Sequence, residues 1–147
     1  DACNKTVRDF IMPHIEKIDY NIAQLIPQFS RPAMKDTKLI WVTFFKIKNT
    51  PDFMDVVKGV SDALKTTEGN YRGYWYRIMG GAPETADYFT TEPFKGFADL
   101  DNEPMGIWKV YEKVNGTKAT EAIRAKLRSA LALNWSYLYT LSEDISN

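Results

Sequence analysis

The segment at residues 39–46, with the sequence LIWVTFFK, constrains the fold most because it is apolar on both faces of an extended strand. Its two faces carry, in alternation, Leu39, Trp41 and Phe45 on one side and Ile40, Val42 and Phe44 on the other. A strand that is apolar on both faces must be covered on both sides. The sequence therefore predicts a central strand in a sheet and not an edge strand.

The residues after this strand predict a helix with clear ends. Thr50 is a suitable N-cap, Pro51 suits the first helical position, and Asp52 interacts favourably with the helix dipole. Gly69 ends the helix, because glycine is common just past a helix C-terminus. The predicted buried face of this helix consists of Phe53, Val56, Val57, Val60 and Leu64.

The order of the remaining elements predicts the fold class. We expect strands at 71–79 and 86–91, helices at 107–114 and 118–133, and a closing strand at 135–141. The order is then strand, helix, strand, strand, helices, strand, which is the βαββαβ order of the ferredoxin-like fold. This predicts an α+β protein with one antiparallel sheet and helices against one of its faces.

The other face of such a sheet would be bare, although neither face has a polar composition here. Trp41, Trp75 and Tyr137 are among the large side chains that something must bury. A second copy of the sheet is the simplest cover, and no internal repeat supplies one within the chain. We therefore predict a homodimer that forms through the sheet faces.

The N-terminal part of the chain lies outside this pattern. Apolar residues recur every three or four positions along residues 7–26, which predicts an amphipathic helix from Pro13 to Leu25. We accordingly divide the chain into an N-terminal helical appendage with a linker, residues 1–34, and a ferredoxin-like α+β domain, residues 35–147.

Three stretches carry a resemblance to a known group of proteins, namely LIWVTFFKIKNTPDFMDVV, YWYRIMGG and SYLYTL. In their order and strand character they are similar to the dimeric α+β barrel group, which includes small cofactor-free monooxygenases and stress-response barrel proteins. The resemblance spans residues 39–141 and implies a dimeric barrel that uses no cofactor. Haem-degrading members depend on a histidine ligand, whereas the one histidine here, His14, lies outside the barrel portion.

Composition and charge narrow the range of partners. Nineteen basic and nineteen acidic residues give a formal net charge of +0, so no overall field attracts nucleic acid or an anionic membrane. We expect no membrane span, because no apolar run approaches the roughly 20 residues that one needs. The chain begins at Asp1 without an initiator Met, so a trimmed leader or a longer parent chain stays possible and no compartment is predicted.

The metal-binding residue types are too few, or wrongly spaced, for a metal site. Single residues of each kind, Cys3 and His14, exclude a thiolate cluster and a multi-histidine centre. Asp99, Asp101 and Glu103 lack the glycine-turn pattern and the further oxygen ligands of a calcium loop. We interpret them as a solvated acidic loop and predict no metal.

The aromatic residues of the strands provide the candidate site. Tyrosine and tryptophan combine apolar surface with a polar tip, so such a set is typical of a ligand pocket as well as of a packed dimer core. A cation among them, Arg77, would bind a polar group of the ligand, or would instead pair with Asp87 or Glu84 across the hairpin. The candidate ligand-binding residues are Trp41, Tyr74, Trp75, Arg77, Tyr88 and Tyr137.

The leading hypothesis is a protein that binds a small apolar or aromatic ligand in a cavity between sheet and helices. One alternative, implied by the resemblance, is a cofactor-free oxygenase-like enzyme. The sequence assigns no general base, so its catalytic residues stay unknown. Another alternative is a structural or assembly module that docks through the N-terminal helix.

Overall fold

The computed structural model describes residues 2–101 and 105–142, with only the backbone described for Ala2 and Cys3, and within them one five-stranded sheet packs against helices. Glu103, assigned above to an acidic loop, lies outside the described residues. The elements are α1 (Ala2–Thr6), β1 (Ile22–Leu25), β2 (Leu39–Ile47), α2 (Thr50–Glu68), β3 (Tyr74–Gly80), β4 (Tyr88–Phe94), α3 (Ala98–Asp101), α4 (Ile107–Asn115), α5 (Thr117–Ala130) and β5 (Leu131–Thr140).

The strand order is β1-β3-β4-β2-β5, and every neighbouring pair is antiparallel. The part from β2 to β5 has the connectivity and strand order of the ferredoxin-like fold, which confirms the predicted fold class. β2 lies between β4 and β5, as its two apolar faces predicted. β1 is an addition to this unit and extends the sheet at the edge of β3.

The predicted helix over Pro13–Leu25 is wrong. A short π turn at Val7–Ile11 and a 3-10 turn at Met12–His14 follow α1, and residues 22–25 form the edge strand β1. β-branched isoleucines favour an extended chain, and β3 needs a partner for the backbone groups along its outer edge. Spacings of three and four residues therefore did not identify a helix here.

α2 forms where it was predicted, with one difference at its start. Asn49 is the N-cap, and its Oδ1 accepts a hydrogen bond from the Asp52 N–H at 3.0 Å, so Thr50 is the first helical residue and not the cap. Gly69 ends the helix at φ 77°, a left-handed conformation that favours glycine. Phe53, on the buried face, is only 1% exposed.

α5 ends three residues earlier than the sequence pattern predicted. The helix stops at Ala130 and β5 begins at Leu131 with no loop between them. The Ala130 carbonyl accepts a hydrogen bond from the Lys48 N–H at 2.7 Å, which joins this corner to the chain just after β2. Leucines at 131 and 133 have good helix propensity, but pairing with β2 overrides it.

The two faces of the sheet have different surroundings. Phe45 of β2 packs on Phe53 of α2 with ring centroids 5.3 Å apart, so the face that carries Phe45 is covered by helices. We call it the covered face, and it also carries Thr43 and Trp41 because alternate residues of a strand point the same way. The opposite face, which carries Phe44 and Val42, is the open face, since large side chains on it such as Tyr137 and Leu133 are more than half exposed.

Candidate functional site

A cavity of about 410 Å³ lies between the covered face and the helices. Its helical wall comes mainly from α2, with Trp108 of α4 and Leu127 of α5 beside it. The sheet side of the cavity is partly apolar and includes Phe45, Trp75 and Leu131. The α2 residues that line the cavity are Phe53, Val56, Val57, Val60, Ser61 and Leu64.

The sheet side of the cavity also has a polar part. Thr43, Thr90, Glu92 and Asn134 line it, all on the covered face, where a solid core would carry apolar side chains. Thr43 and Thr90 are directly opposite each other in the β2–β4 ladder. A mostly apolar cavity with a few converging polar groups is the usual composition of a small-molecule site.

Glu92 is the titratable group of this polar part. Its side chain is half-buried, and burial is the largest influence, raising the pKa of the carboxyl above its ordinary value of 4.5. Arg72 acts against this and lowers the pKa, Glu68 raises it, and Arg31 lowers it. The net result is a raised pKa, which makes Glu92 easier to keep neutral than an exposed glutamate.

Arg72, also a lining residue, is held by other groups. Its Nη2 donates to Glu68 Oε1 at 2.6 Å and its Nε donates to Glu68 Oε2 at 3.0 Å, a bidentate pair. The same Nη2 donates to the Met105 carbonyl at 2.5 Å. Gly73, which follows Arg72, has no room for a side chain, since a Cβ there would lie 2.3 Å from the Thr91 carbonyl oxygen.

Among the predicted site residues, Trp75 lines this cavity. It stacks on Phe45 at a centroid distance of 5.4 Å and meets the edge of Phe53 at 6.1 Å. Tyr88 lies on the same face and packs in the core, where it is 6% exposed and 5.3 Å from the Phe53 ring, and it borders a second hollow together with Arg77. Trp41 also points to the covered face, but it is 43% exposed and is not among the cavity's lining residues.

Arg77 has neither of the two predicted environments. Its side chain is exposed and borders a separate hollow beside β1, where Nη2 lies 3.5 Å from Gln24 Oε1. Asp87, one of its expected partners, accepts a hydrogen bond from the Ile47 N–H at 2.8 Å instead. The physical reason is β1, which was predicted as a helix and instead pairs with this stretch of β3.

Tyr74 and Tyr137 lie on the opposite side of the sheet from the cavity. The Tyr74 hydroxyl donates to the Pro32 carbonyl at 3.0 Å and accepts from the Met34 N–H at 2.9 Å, so it anchors the segment before β2. Tyr137 is 55% exposed on the open face. Grouping Tyr137 with Trp41 and Trp75 as one bare surface was wrong, because the pairing register directs the two tryptophans to the covered face.

The open face carries a nearly continuous layer of aromatic rings. Phe44 packs against Phe89 at 5.6 Å and against Trp135 at 5.4 Å, and Tyr76 stacks on Phe89 at 4.7 Å. Several of its large side chains are substantially exposed in the single chain, namely Leu25, Ile40, Leu133, Tyr137 and Tyr139. This layer is an apolar surface of the kind that marks interaction sites.

Over residues 2–101 and 105–142, no group of three or more His, Cys, Asp or Glu side chains is arranged to hold a metal ion. Asp99 and Asp101 belong to the short helix α3 and not to the predicted loop, and Asp99 Oδ2 accepts a hydrogen bond from the Lys95 N–H at 2.7 Å. None of the described helices is both long enough and apolar enough to cross a membrane.

Comparison with known proteins gives structural neighbours alone. No family model matches the chain. No curated protein matches it either. A dimeric ferredoxin-like protein of unknown function from Thermobifida fusca is similar with a TM-score of 0.43 and 14% identity, covering 76% of this chain and 98% of its own. A dimeric protein of unknown function with a ferredoxin-like fold from Bacteroides fragilis has a TM-score of 0.39 and 14% identity, covering 70% of this chain and 95% of its own. Both likenesses are distant, and the ferredoxin-like assignment rests on the strand order of this chain itself.

Proposed function

We propose that this protein binds a small, largely apolar ligand in the cavity between the covered face and the helices. The observation that supports this is the composition of the cavity wall. Apolar side chains of α2 face a sheet surface on which Thr43, Thr90 and Glu92 replace core residues. A volume of about 410 Å³ falls in the range of roughly 300–1,000 Å³ that is typical of ligand pockets.

The proposal changes where the polar group of the ligand would bind. The sequence favoured Arg77, but that side chain borders the hollow beside β1 and not the main cavity. Glu92 and Thr90 take its place as the polar contacts, and Trp75 keeps its expected position as an aromatic wall. Most of the ligand surface would then contact α2 and the rings of Phe45 and Trp75.

A matched pair of variants tests this proposal. 2-Methylnaphthalene serves as the probe, and isothermal titration calorimetry measures its binding to the full chain. Val60→Phe adds bulk to the cavity wall and should abolish binding, whereas Val114→Phe makes the same change at an exposed position of α4 and should not. Equal binding of the probe to both variants contradicts the proposal. Native mass spectrometry of the same sample adds a search for a co-purified compound.

We further propose that two copies of the chain pair through the open face. The exposed rings there lie in a surface with little charge, and a two-fold interface places the same patch of both copies together. Tyr137, Tyr139 and Leu133 are each at least half exposed, and this self-association would cover them. An apolar patch is compatible with such a pairing, whereas a strongly charged one would repel its own copy.

Sedimentation of the purified protein tests the pairing. We expect a dimer at micromolar concentration, and Tyr137→Glu should weaken its association by at least about tenfold because it buries a charge among aromatic rings. Tyr20→Glu is the matched control, since Tyr20 is 77% exposed and lies outside the sheet. A wild-type monomer, or equal weakening by the control, would count against the open face as the interface.

Of the other two hypotheses from the sequence, the oxygenase-like activity stays a prediction. An oxygenase-like activity would need a titratable group in the cavity, and Glu92 is available there. Docking through an N-terminal helix at Pro13–Leu25 is not proposed, because residues 22–25 form a strand and not part of a helix.

A further inference from the structure

We infer that the cavity selects neutral compounds that carry a hydroxyl group and rejects compounds of the same shape that carry a carboxylate. The inference rests on the proposed ligand binding and concerns the polar part of the same cavity. Glu92 and Thr90 are its centre, since residues two apart on a strand point to the same face. Thr43 lies opposite Thr90 and extends this polar part onto β2.

The charges around the cavity disfavour an anionic ligand. Glu92 already places one carboxyl at the polar part, and a second carboxylate beside it would be repelled. Arg72 is the cation among the lining residues, and its Nε and Nη2 are engaged by Glu68, whereas Arg31 acts on Glu92 from outside the lining. An incoming carboxylate would have to displace Glu68 from that pair or lose its water without a full replacement.

A cationic ligand is disfavoured for a different reason. Arg72 and Arg31 are the positive charges that act on Glu92, and although Glu68 offsets Arg72, Arg31 would repel an ammonium group bound next to Glu92. Burial also raises the pKa of Glu92, so the surroundings resist a full negative charge that could pair with such a cation. A neutral group therefore loses less on entering than either ion does.

A hydroxyl group matches the hydrogen-bonding capacity of these residues. An ionised carboxyl accepts hydrogen bonds and a protonated one also donates, and a threonine hydroxyl does both. A ligand hydroxyl, which is a donor and an acceptor as well, can satisfy Glu92 in either protonation state. A purely apolar compound would leave the polar groups of Glu92 and Thr90 unpaired when it displaces water.

Three probes with the same ring system test the inference: 2-naphthalenemethanol, 2-naphthoate and 2-methylnaphthalene. They differ only in a hydroxymethyl, carboxylate or methyl group at one position. For the full chain at neutral pH we expect 2-naphthalenemethanol to bind at least about tenfold more tightly than 2-naphthoate. It should also bind more tightly than 2-methylnaphthalene, which lacks a polar group.

Two substitutions at one position connect this selectivity to Glu92. Glu92→Gln keeps the size and removes the charge, so the gap between the alcohol and the carboxylate should narrow by at least about threefold. Glu92→Leu removes the polar group, so the alcohol should lose its advantage over 2-methylnaphthalene. Glu121→Gln, on the exposed side of α5, is the control for a change of net charge and should leave the order of affinities unchanged.

The outcomes separate this inference from the proposed function. Equal binding of all three probes, or tightest binding of 2-naphthoate, overturns the inference while leaving ligand binding in place. Unchanged selectivity in both Glu92 variants also overturns it, provided that circular dichroism shows both to be folded. Failure of every probe to bind the unmodified protein overturns the proposed function itself.

Discussion

The polar residues of this sheet lie on the opposite face from the usual one. In most half-covered sheets the apolar residues point to the helices and the polar residues to water. Here the covered face includes Thr43, Thr90 and Glu92 in the floor of a cavity. The open face is formed by rings such as Phe44 and Tyr137, the second of which is 55% exposed.

The two faces support the two proposals for different reasons. The covered face has its helices, but its polar floor and its cavity leave room for a ligand. The open face has the residues of a packed core, yet Tyr137 and Tyr139 on it are more than half exposed in the single chain. Matched substitutions on the covered face and on the open face should therefore have different effects on stability.

The largest expected effect on stability is the difference between two single variants, each of which removes a large side chain on one side of the sheet. Phe53→Ala should lower the free energy of unfolding by about 3–5 kcal/mol, because Phe53 is 1% exposed and contacts Phe45, Trp75 and Tyr88. Tyr139→Ala, at a position 51% exposed, should cost less than about 1 kcal/mol in the monomer.

Urea unfolding of both variants at two protein concentrations measures this contrast. If two copies pair through the open face, the cost of Tyr139→Ala should grow with protein concentration, because association stabilises the folded state by mass action. The cost of Phe53→Ala should show no such dependence beyond that of the unmodified protein. If both variants lost the same free energy of unfolding at low concentration, the two faces would not differ in how tightly their side chains pack.

A smaller effect is expected from exchanging residue types at two neighbouring positions of β2. Val42→Thr places a hydroxyl at an open-face position that is 8% exposed and should cost about 1–3 kcal/mol. Thr43→Val removes a 2.8 Å hydrogen bond to the exposed Ser136 hydroxyl but adds a methyl group to the cavity wall. The two changes nearly cancel, so its effect should stay within about 0.5 kcal/mol.

Thermal or urea unfolding of the two single variants gives the comparison directly. A cost for Thr43→Val as large as that of Val42→Thr would mean that the hydrogen bond between Thr43 and Ser136 stabilises the fold, since threonine and valine have nearly the same shape. In that case the polar groups of the cavity floor would be structural hydrogen-bond partners and not ligand contacts.

The sequence predicted the sheet better than it predicted the site, and β2 explains the first result. Its two apolar faces required a central position whatever the rest of the chain did, and pairing with both β4 and β5 confirms it. The residues of β1 carry no such requirement. Their spacing suited a helix, but the exposed edge of β3 decided their conformation.

The site was harder to predict because it depends on which face the helices cover. The alternation of Tyr88, Thr90 and Glu92 with Phe89, Thr91 and Pro93 is visible in the sequence. The same alternation would be produced by a strand whose polar side faces water, which is the more frequent arrangement. Only the packing of Phe53 on Phe45 identifies that polar side as the floor of a cavity.

The smallest expected effect concerns the charge of Glu92 and its dependence on pH. The carboxyl of Glu92 has a raised pKa in the folded protein, whereas in the unfolded chain it titrates near its ordinary value of 4.5. The folded state therefore holds this proton more tightly, and its stability falls as the pH rises from about 4.5 through the raised pKa. Above that pH the loss is complete and constant.

Glu92→Gln removes this dependence, so its advantage in melting temperature over the unmodified protein should be smallest near pH 4 and increase toward neutral pH. The effect should be modest, because Glu92 is half-buried and water screens part of its charge. Melting curves of the variant, of the unmodified protein and of the Glu121→Gln control across this pH range measure it. An advantage that shrinks as the pH rises would mean that the charged form of Glu92 is stabilised in the fold, and the polar floor would then be a site for a cationic group.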